Sequence, residues 1–191
     1  VAVALVGLPG AGKSAVGRRL GQRLQLPFID TDHLIEQRIG CTIRDYFERH
    51  GEAAFRDVEQ TVIAELASMH HAIVATGGGA VLREANRRCL AGNFHVLYLR
   101  SSPEDLFRRL RHDVKRPLLQ VADPLGRLHE LHGVRDPLYR EVAHSTVETG
   151  RPPISTLVNM ILSQLELAGV VQQPAQGAIQ VEPDEPASPD D

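Results

Sequence analysis

Tryptophan is absent from this chain of 191 residues, and aromatic side chains make up only 4% of it. A surface built for nucleic acid needs a basic stripe interleaved with aromatics. Here 21 Lys and Arg face 24 Asp and Glu, a net charge of −3, so no nucleic-acid partner is expected. Cysteine is nearly missing as well. Cys41 and Cys89 stand far apart and without metal-ligand spacing, which speaks against a disulfide framework or a zinc centre and for two reduced, partly buried thiols. The nine histidines do not change this: none has Cys or His companions at zinc spacing, and solvated rings are expected. No apolar run approaches the ~18 residues of a membrane span, and no signal peptide is visible. The expected setting is the cytoplasm, with no membrane partner.

Lysine is the last scarcity. Lys13 and Lys115 are the only two, against 19 arginines. A chain that uses Arg almost everywhere has kept Lys13 inside Gly7-Leu8-Pro9-Gly10-Ala11-Gly12-Lys13-Ser14, which fits the pattern G-x-x-x-x-G-K-[ST]. The run Ala2 to Val6 before it has strand character, and Val16, Leu20 and Leu24 after it recur at helical spacing. Strand, glycine loop and helix form the context of a phosphate site. The backbone N–H groups of Gly10, Ala11, Gly12, Lys13, Ser14 and Ala15 can turn inward around a phosphate chain, aided by the helix N-terminus. Lys13 can reach the β- and γ-phosphates, and the Ser14 hydroxyl can hold Mg²⁺.

The rest of the chain alternates strands and helices. Pro27 to Ile29 predicts a second strand ending in Asp30-Thr31-Asp32, followed by a helix closing at Gly40. Thr42 with Asp45 resembles a capping box, His50-Gly51 breaks that helix, and a long helix with Phe55, Val58, Val62, Ile63 and Leu66 on its apolar face follows. Ala72 to Ala75 predicts a third strand running into Thr76-Gly77-Gly78-Gly79. A short helix over Glu84 to Leu90, a strand over Phe94 to Leu99 and a helix opened by Ser102-Pro103 come next. Residues 111–123 lack periodicity and are expected to be mobile. Pro124 to Val142 predicts a helix, Ser145 to Glu148 a strand, and Ile154 to Leu167 a last amphipathic helix. This is an α/β chain with a parallel sheet covered on both faces. From Gly169 onward five acids and no base appear, in Pro- and Gln-rich sequence expected to be disordered. The remaining body has 19 acids against 21 bases, mildly positive, which suits small anionic ligands.

Ligands of open parallel sheets gather beyond the carboxyl ends of strands. The phosphate loop, Asp30, Asp32 and the glycine triplet all lie at such ends and are expected to face one cleft. Asp30 could orient waters on Mg²⁺, and Asp32 could accept a proton or a hydrogen bond from a substrate hydroxyl; helix capping is the competing role for either. The glycines permit close approach of backbone to a ligand. Arg56 and Arg135, if they converge there, indicate a carboxylate-bearing substrate.

Taken together, the phosphate loop, Asp30-Thr31-Asp32, Phe55-Arg56, Thr76 to Gly79, Arg116-Pro117-Leu118-Leu119 and Arg135-x-Pro-Leu-Tyr139 resemble, in order and approximate spacing, the bacterial shikimate kinases. The likeness covers Val3 to about Leu167. It implies a nucleoside-monophosphate-kinase-like P-loop fold, a five-stranded parallel sheet in the order 2-3-1-4-5 over residues 1–168. A lid at about 111–123 and a tail over 169–191 complete the expected organisation. It further implies ATP as co-substrate, Mg²⁺ on Ser14 and, through water, on Asp30, and transfer of phosphate to the 3-hydroxyl of shikimate. By the same resemblance Asp32 assists deprotonation, and Arg56 and Arg135 clamp the substrate carboxylate. Gly77, Gly78 and Gly79 contact the substrate, Arg116 covers the transferring phosphoryl group, and Arg109 and Arg151 flank the adenine. A monomer is expected. Two departures from the family pattern are Ala15, where Thr is common, and a shifted Gly150-Arg151-Pro152-Pro153. The rival readings are another small-metabolite kinase, such as one acting on gluconate, or a nucleotide-dependent switch without catalysis; the chain lacks the Asn-Lys-x-Asp sequence with which GTPases read guanine.

Overall fold

The apolar run ahead of the phosphate loop forms β1 (Ala2–Val6), the central strand of a five-stranded sheet. The computed structural model describes residues 1–111 and 121–172. Around β1 lie β2 (Phe28–Asp30), β3 (Ala72–Ala75), β4 (His95–Arg100) and β5 (Ser145–Glu148) in the order β2-β3-β1-β4-β5. Every neighbouring pair is parallel. A strand covered on both faces has no solvent side, so its sequence runs apolar without alternation. Val3 to Val6 and Ile73 are fully buried, as are Val96, Leu97 and Leu99.

The helices are α1 (Lys13–Leu24), α2 (Thr31–Ile39), α3 (Ile43–Leu66), α4 (Glu84–Asn93), α5 (Pro103–Leu110), α6 (Pro124–Val142) and α7 (Ile154–Leu167). Their ends follow the capping residues. Thr42 accepts from the Asp45 N–H at 3.1 Å, and Ser102 does the same for Asp105, with Pro103 in the first turn. Gly40 closes α2 in the left-handed region. Gly51, at φ 84°, interrupts α3 where the His50-Gly51 break is expected. A few boundaries move by one to three residues from the sequence expectation: β2 starts at Phe28, α4 continues to Asn93, and β4 runs from His95 to Arg100. Phe94 caps α4 instead of opening β4, because its N–H donates to the Leu90 carbonyl.

Register fixes what stands beside what. Leu5 pairs with Ala75, and Ala75 with Asp30, so the ends of β1, β3 and β2 are level. The phosphate loop, the glycine triplet and the aspartates leave from that shared edge. β3 and β4 lie on opposite sides of β1, which makes this edge the switch point of the sheet.

Packing continues past α7, since Val171 is buried in the core. Residues 112–120, most of the expected lid, and 173–191, most of the acidic tail, lie outside the described residues. Both cysteines are free and half-buried. Among the described residues, no helix is long and apolar enough to cross a membrane.

Candidate active site

The phosphate loop bends through Gly10 (φ 85°) and Gly12 (φ 90°), backbone angles that side chains rarely adopt, and Gly12 opens α1. Lys13 is 8% exposed. Its ammonium donates to the carbonyls of Gly7 at 2.6 Å and Leu8 at 3.0 Å, which satisfies a buried charge and lays the side chain along the loop.

One turn into the site, the Ser14 hydroxyl donates to Asp30 Oδ2 at 2.6 Å. The other oxygen of Asp30 accepts from the backbone N–H groups of Asp32 and His33 at the start of α2. Asp30 therefore caps the helix and meets Ser14, while Asp32 lines the cleft. Two hard oxygen donors fit Mg²⁺, which takes one or two protein oxygens and completes its shell with phosphate and water. Among the described residues, no group of three or more His, Cys, Asp or Glu forms a protein-only cage.

Two recesses adjoin at the sheet edge. The first, about 400 Å³, is walled by the phosphate loop with Lys13 and Ser14, by Arg18, and by Asp30, Asp32 and Thr76. The second, about 200 Å³, is walled by Arg56, Glu59 and Arg135, with Ile43, Phe47 and Phe55 as its apolar side. Pro9, Asp32, Gly77 and Gly78 line both. An anionic chain in the first recess and a small acidic ring in the second would meet at Asp32.

The glycine triplet is the hinge of this arrangement. A Cβ at Gly77 would stand 2.7 Å from Asp32 Oδ1; at Gly78, 2.7 Å from Pro9 Cδ and 3.2 Å from Arg135 Nη1; at Gly79, 2.5 Å from Arg56 Nη1. Each glycine thus makes room for a different cleft side chain. Gly77, Gly78 and Gly79 also line the second recess, with their backbone toward its space.

Electrostatics sharpen the site. Burial raises the Asp32 pKa from 3.8 to about 6, the charges of Asp30 and Glu59 add to the shift, and Lys13 opposes it. A carboxylate tuned toward neutrality is suited to accepting a proton. Glu59 is 1% exposed, and burial raises its pKa too, against the pull of Arg56. Arg56 Nη1 donates to Glu59 Oε1 at 2.9 Å, and exposed Glu52 lies 3.4 Å from its Nε. Glu59 Oε2 has no hydrogen-bond partner among the described residues.

Asp32, Arg56, Arg135 and the triplet are therefore brought together beside Lys13, although they come from α2, α3, α6 and the loop after β3. Arg109 sits at the edge of this group: it donates to the Thr149 carbonyl, and its Nη1 lies 4.0 Å from where a Gly12 Cβ would be. Arg151 is exposed in the bend after β5. Arg116 lies outside the described residues. Ala15 lines the first recess at the start of α1.

The shikimate kinase family model matches residues 9–166. A shikimate kinase of Ralstonia nicotianae is 56% identical over 173 residues, 91% of this chain and 91% of that protein. The chain belongs to the shikimate kinase family. Among solved structures, the shikimate kinase of Acinetobacter baumannii in complex with shikimate has a TM-score of 0.82 and 44% identity, covering 90% of this chain and 95% of that one. A gluconokinase of Sinorhizobium meliloti has a TM-score of 0.56 at 21% identity over 87% of this chain and 92% of that one, a likeness of fold alone.

Three side chains at this edge have contacts that the motifs do not disclose. Glu59 falls within the apolar stripe of α3, between Val58 and Val62, and an acid in such a stripe is the signal that it is buried for a purpose. Arg18 follows Ser14 by one helical turn and so shares its face; its guanidinium lies 5.6 Å from the Phe28 ring centroid. Tyr139 donates from its hydroxyl to the Gly78 carbonyl, a contact across 61 residues that spacing cannot reveal.

Proposed function

We propose that the chain transfers the γ-phosphoryl group of ATP to the 3-hydroxyl of shikimate, giving ADP and shikimate 3-phosphate for aromatic amino acid biosynthesis. The observation that carries this reading is the second recess. Two guanidinium groups and a carboxylate of raised pKa share it with a phenylalanine wall, and it opens onto the phosphate loop. Arg56 and Arg135 hold the shikimate carboxylate, since planar guanidinium groups match it in bidentate fashion. Phe47 and Phe55, whose ring centroids are 4.8 Å apart, cover the apolar face of the ring. Asp32 receives the proton of the 3-hydroxyl as that oxygen attacks the γ-phosphorus and the bond to the ADP oxygen breaks.

Lys13 neutralises the phosphate charge that grows on the transferring group, and the loop N–H groups hold the chain in line. Ser14 and, through water, Asp30 hold Mg²⁺, which when bound draws charge from the phosphate oxygens. Arg109 and Arg151 flank the adenine, and Arg116, on the lid of residues 111–123, covers the phosphoryl group. Lid closure keeps water from competing as acceptor. Phosphoryl transfer needs little covalent help, so positioning supplies most of the rate. The enzyme works as a monomer in the cytoplasm on two small anions.

A coupled assay of ADP release tests the reading. ADP release should depend on shikimate and not respond to gluconate. Equal release with gluconate, or ADP release indifferent to shikimate, would overturn it.

A further inference from the structure

α6 contributes two side chains to one face at this edge of the sheet. Arg135 and Tyr139 are four residues apart, which places them one above the other on a helix. Tyr139 is fully buried. Its hydroxyl donates to the carbonyl of Gly78, and the Arg135 guanidinium lies near enough to the same phenol for its charge to oppose the upward pull of burial on the phenol pKa. The phenol oxygen therefore adjoins both the arginine and the glycine backbone. The Arg135 guanidinium also passes Gly78 closely, since a Cβ there would come within 3.2 Å of Nη1.

The phenol is itself held from behind. Its ring packs on Tyr98 at 4.9 Å between centroids, and the Tyr98 hydroxyl donates to Asp136 Oδ1 at 2.7 Å. Asp136 is held in turn by Arg140 at 2.9 Å. The Tyr98 ring, not its hydroxyl, thereby bears on Tyr139 from one side, and the triplet meets it from the other. Pinning a carbonyl also orients the peptide plane that follows, because a trans peptide points its N–H opposite to its C=O. The Gly79 N–H is thus set by the Tyr139 contact, beside the Arg56 guanidinium that the Gly79 face accommodates.

The geometry points to Tyr139 as a positioning residue for the acceptor: its hydroxyl clasps Arg135 to the Gly78 carbonyl and so fixes the carboxylate-binding wall before substrate arrives. This rests on the reading of the second recess as the shikimate site. Tyr139 touches no reacting atom, so its loss acts on acceptor affinity and leaves the phosphate loop as it was. Shape is not the point; the hydroxyl is.

Tyr139→Phe keeps the ring and removes the clasp. Its shikimate KM should rise roughly tenfold, about what one hydrogen bond to a charged group is worth. Its ATP KM should stay within about twofold, and its melting temperature should fall by only a few degrees. Tyr98→Phe removes a buried hydroxyl from the same ring pair without touching Gly78, and its shikimate KM should stay within about twofold. If Tyr139→Phe does not accumulate as folded protein, Tyr139→Met must show the same split between substrates. An unchanged shikimate KM, an equal rise for both substrates, or the same rise in Tyr98→Phe would overturn the assignment. Calorimetric titration of shikimate separates the two claims. Wild type that binds no shikimate defeats the reading of the recess and the clasp with it; wild type and Tyr139→Phe that bind equally defeat the clasp alone.

Discussion

Arg56 lies against Gly79 so closely that a Cβ on the glycine would stand 2.5 Å from Nη1. Gly79 is not in the left-handed region, so space, not backbone angle, makes glycine the fitting residue there. Gly79→Ala should displace the Arg56 guanidinium and raise the shikimate KM by roughly tenfold or more, the cost of misaligning one arm of a bidentate clamp. The ATP KM should hold within about threefold. Initial-rate kinetics with each substrate varied in turn check this.

Glu59 and Arg56 form a pair in which neither member has much water. The Glu59 side chain is 1% exposed and that of Arg56 11%. Removing Glu59 leaves Arg56 with the exposed Glu52 in place of a buried partner, so Glu59→Ala should destabilise the protein by about 3 kcal/mol. Urea unfolding of the two proteins measures it. A loss no larger than that of a surface ion pair, under about 1 kcal/mol, would mean that Arg56 finds other partners.

Much of this arrangement can be read from residue order, and the unread part has a common cause. Caps and breaks are local, so Thr42, Ser102, Gly40 and Gly51 mark their helix ends without knowledge of the fold. The level ends of β1, β2 and β3 follow from alternating strands and helices, which is why Asp30, Asp32 and Gly77 to Gly79 point to one cleft. Glu59, Arg18 and Tyr139 escape because their roles depend on which helix packs over which strand end. The Tyr139 contact with Gly78 and the burial of Glu59 exist only once α6 and α3 have closed over the loop after β3. The adjacent recesses likewise arise from the insertion of β3 between β2 and β1, an order that the residues imply only through their resemblance to a family.

Asp32 should make stability depend on pH in the absence of ligands. Its pKa is about 6 in the folded protein against 3.8 for the free side chain. Well below pH 3.8 it is protonated in both folded and unfolded chains and costs nothing. Between pH 4 and 6 the unfolded chain ionises it first, so stability is lost as pH rises, and above pH 6 the whole cost is present. Asp32→Asn should therefore stabilise the ligand-free protein at pH 8 by up to about 3 kcal/mol, with the gain vanishing near pH 4. Chemical unfolding in EDTA across that range tests it, and the same variant should lose most of its kcat.

Lys13 is the one amine within the phosphate loop. Lys13→Ala should reduce kcat by roughly 10³-fold or more, in line with the loss of a main electrostatic contact to the transferring group, while shikimate still binds. Rapid-quench measurement of ADP formation together with shikimate titration separates the two effects. An Arg substitution should not restore the rate, because a planar guanidinium cannot follow the path of the ammonium along the loop to the Gly7 and Leu8 carbonyls.

The roles of Asp32, Arg56 and Arg135 all turn on where the acidic ring sits. A crystal structure of this protein with shikimate decides that directly. The carboxylate should lie at about 3 Å from the guanidinium nitrogens of both Arg56 and Arg135, with the 3-hydroxyl beside Asp32 and facing the phosphate loop. A carboxylate bound at the phosphate loop, or a ring held on any surface away from Asp32, would contradict it.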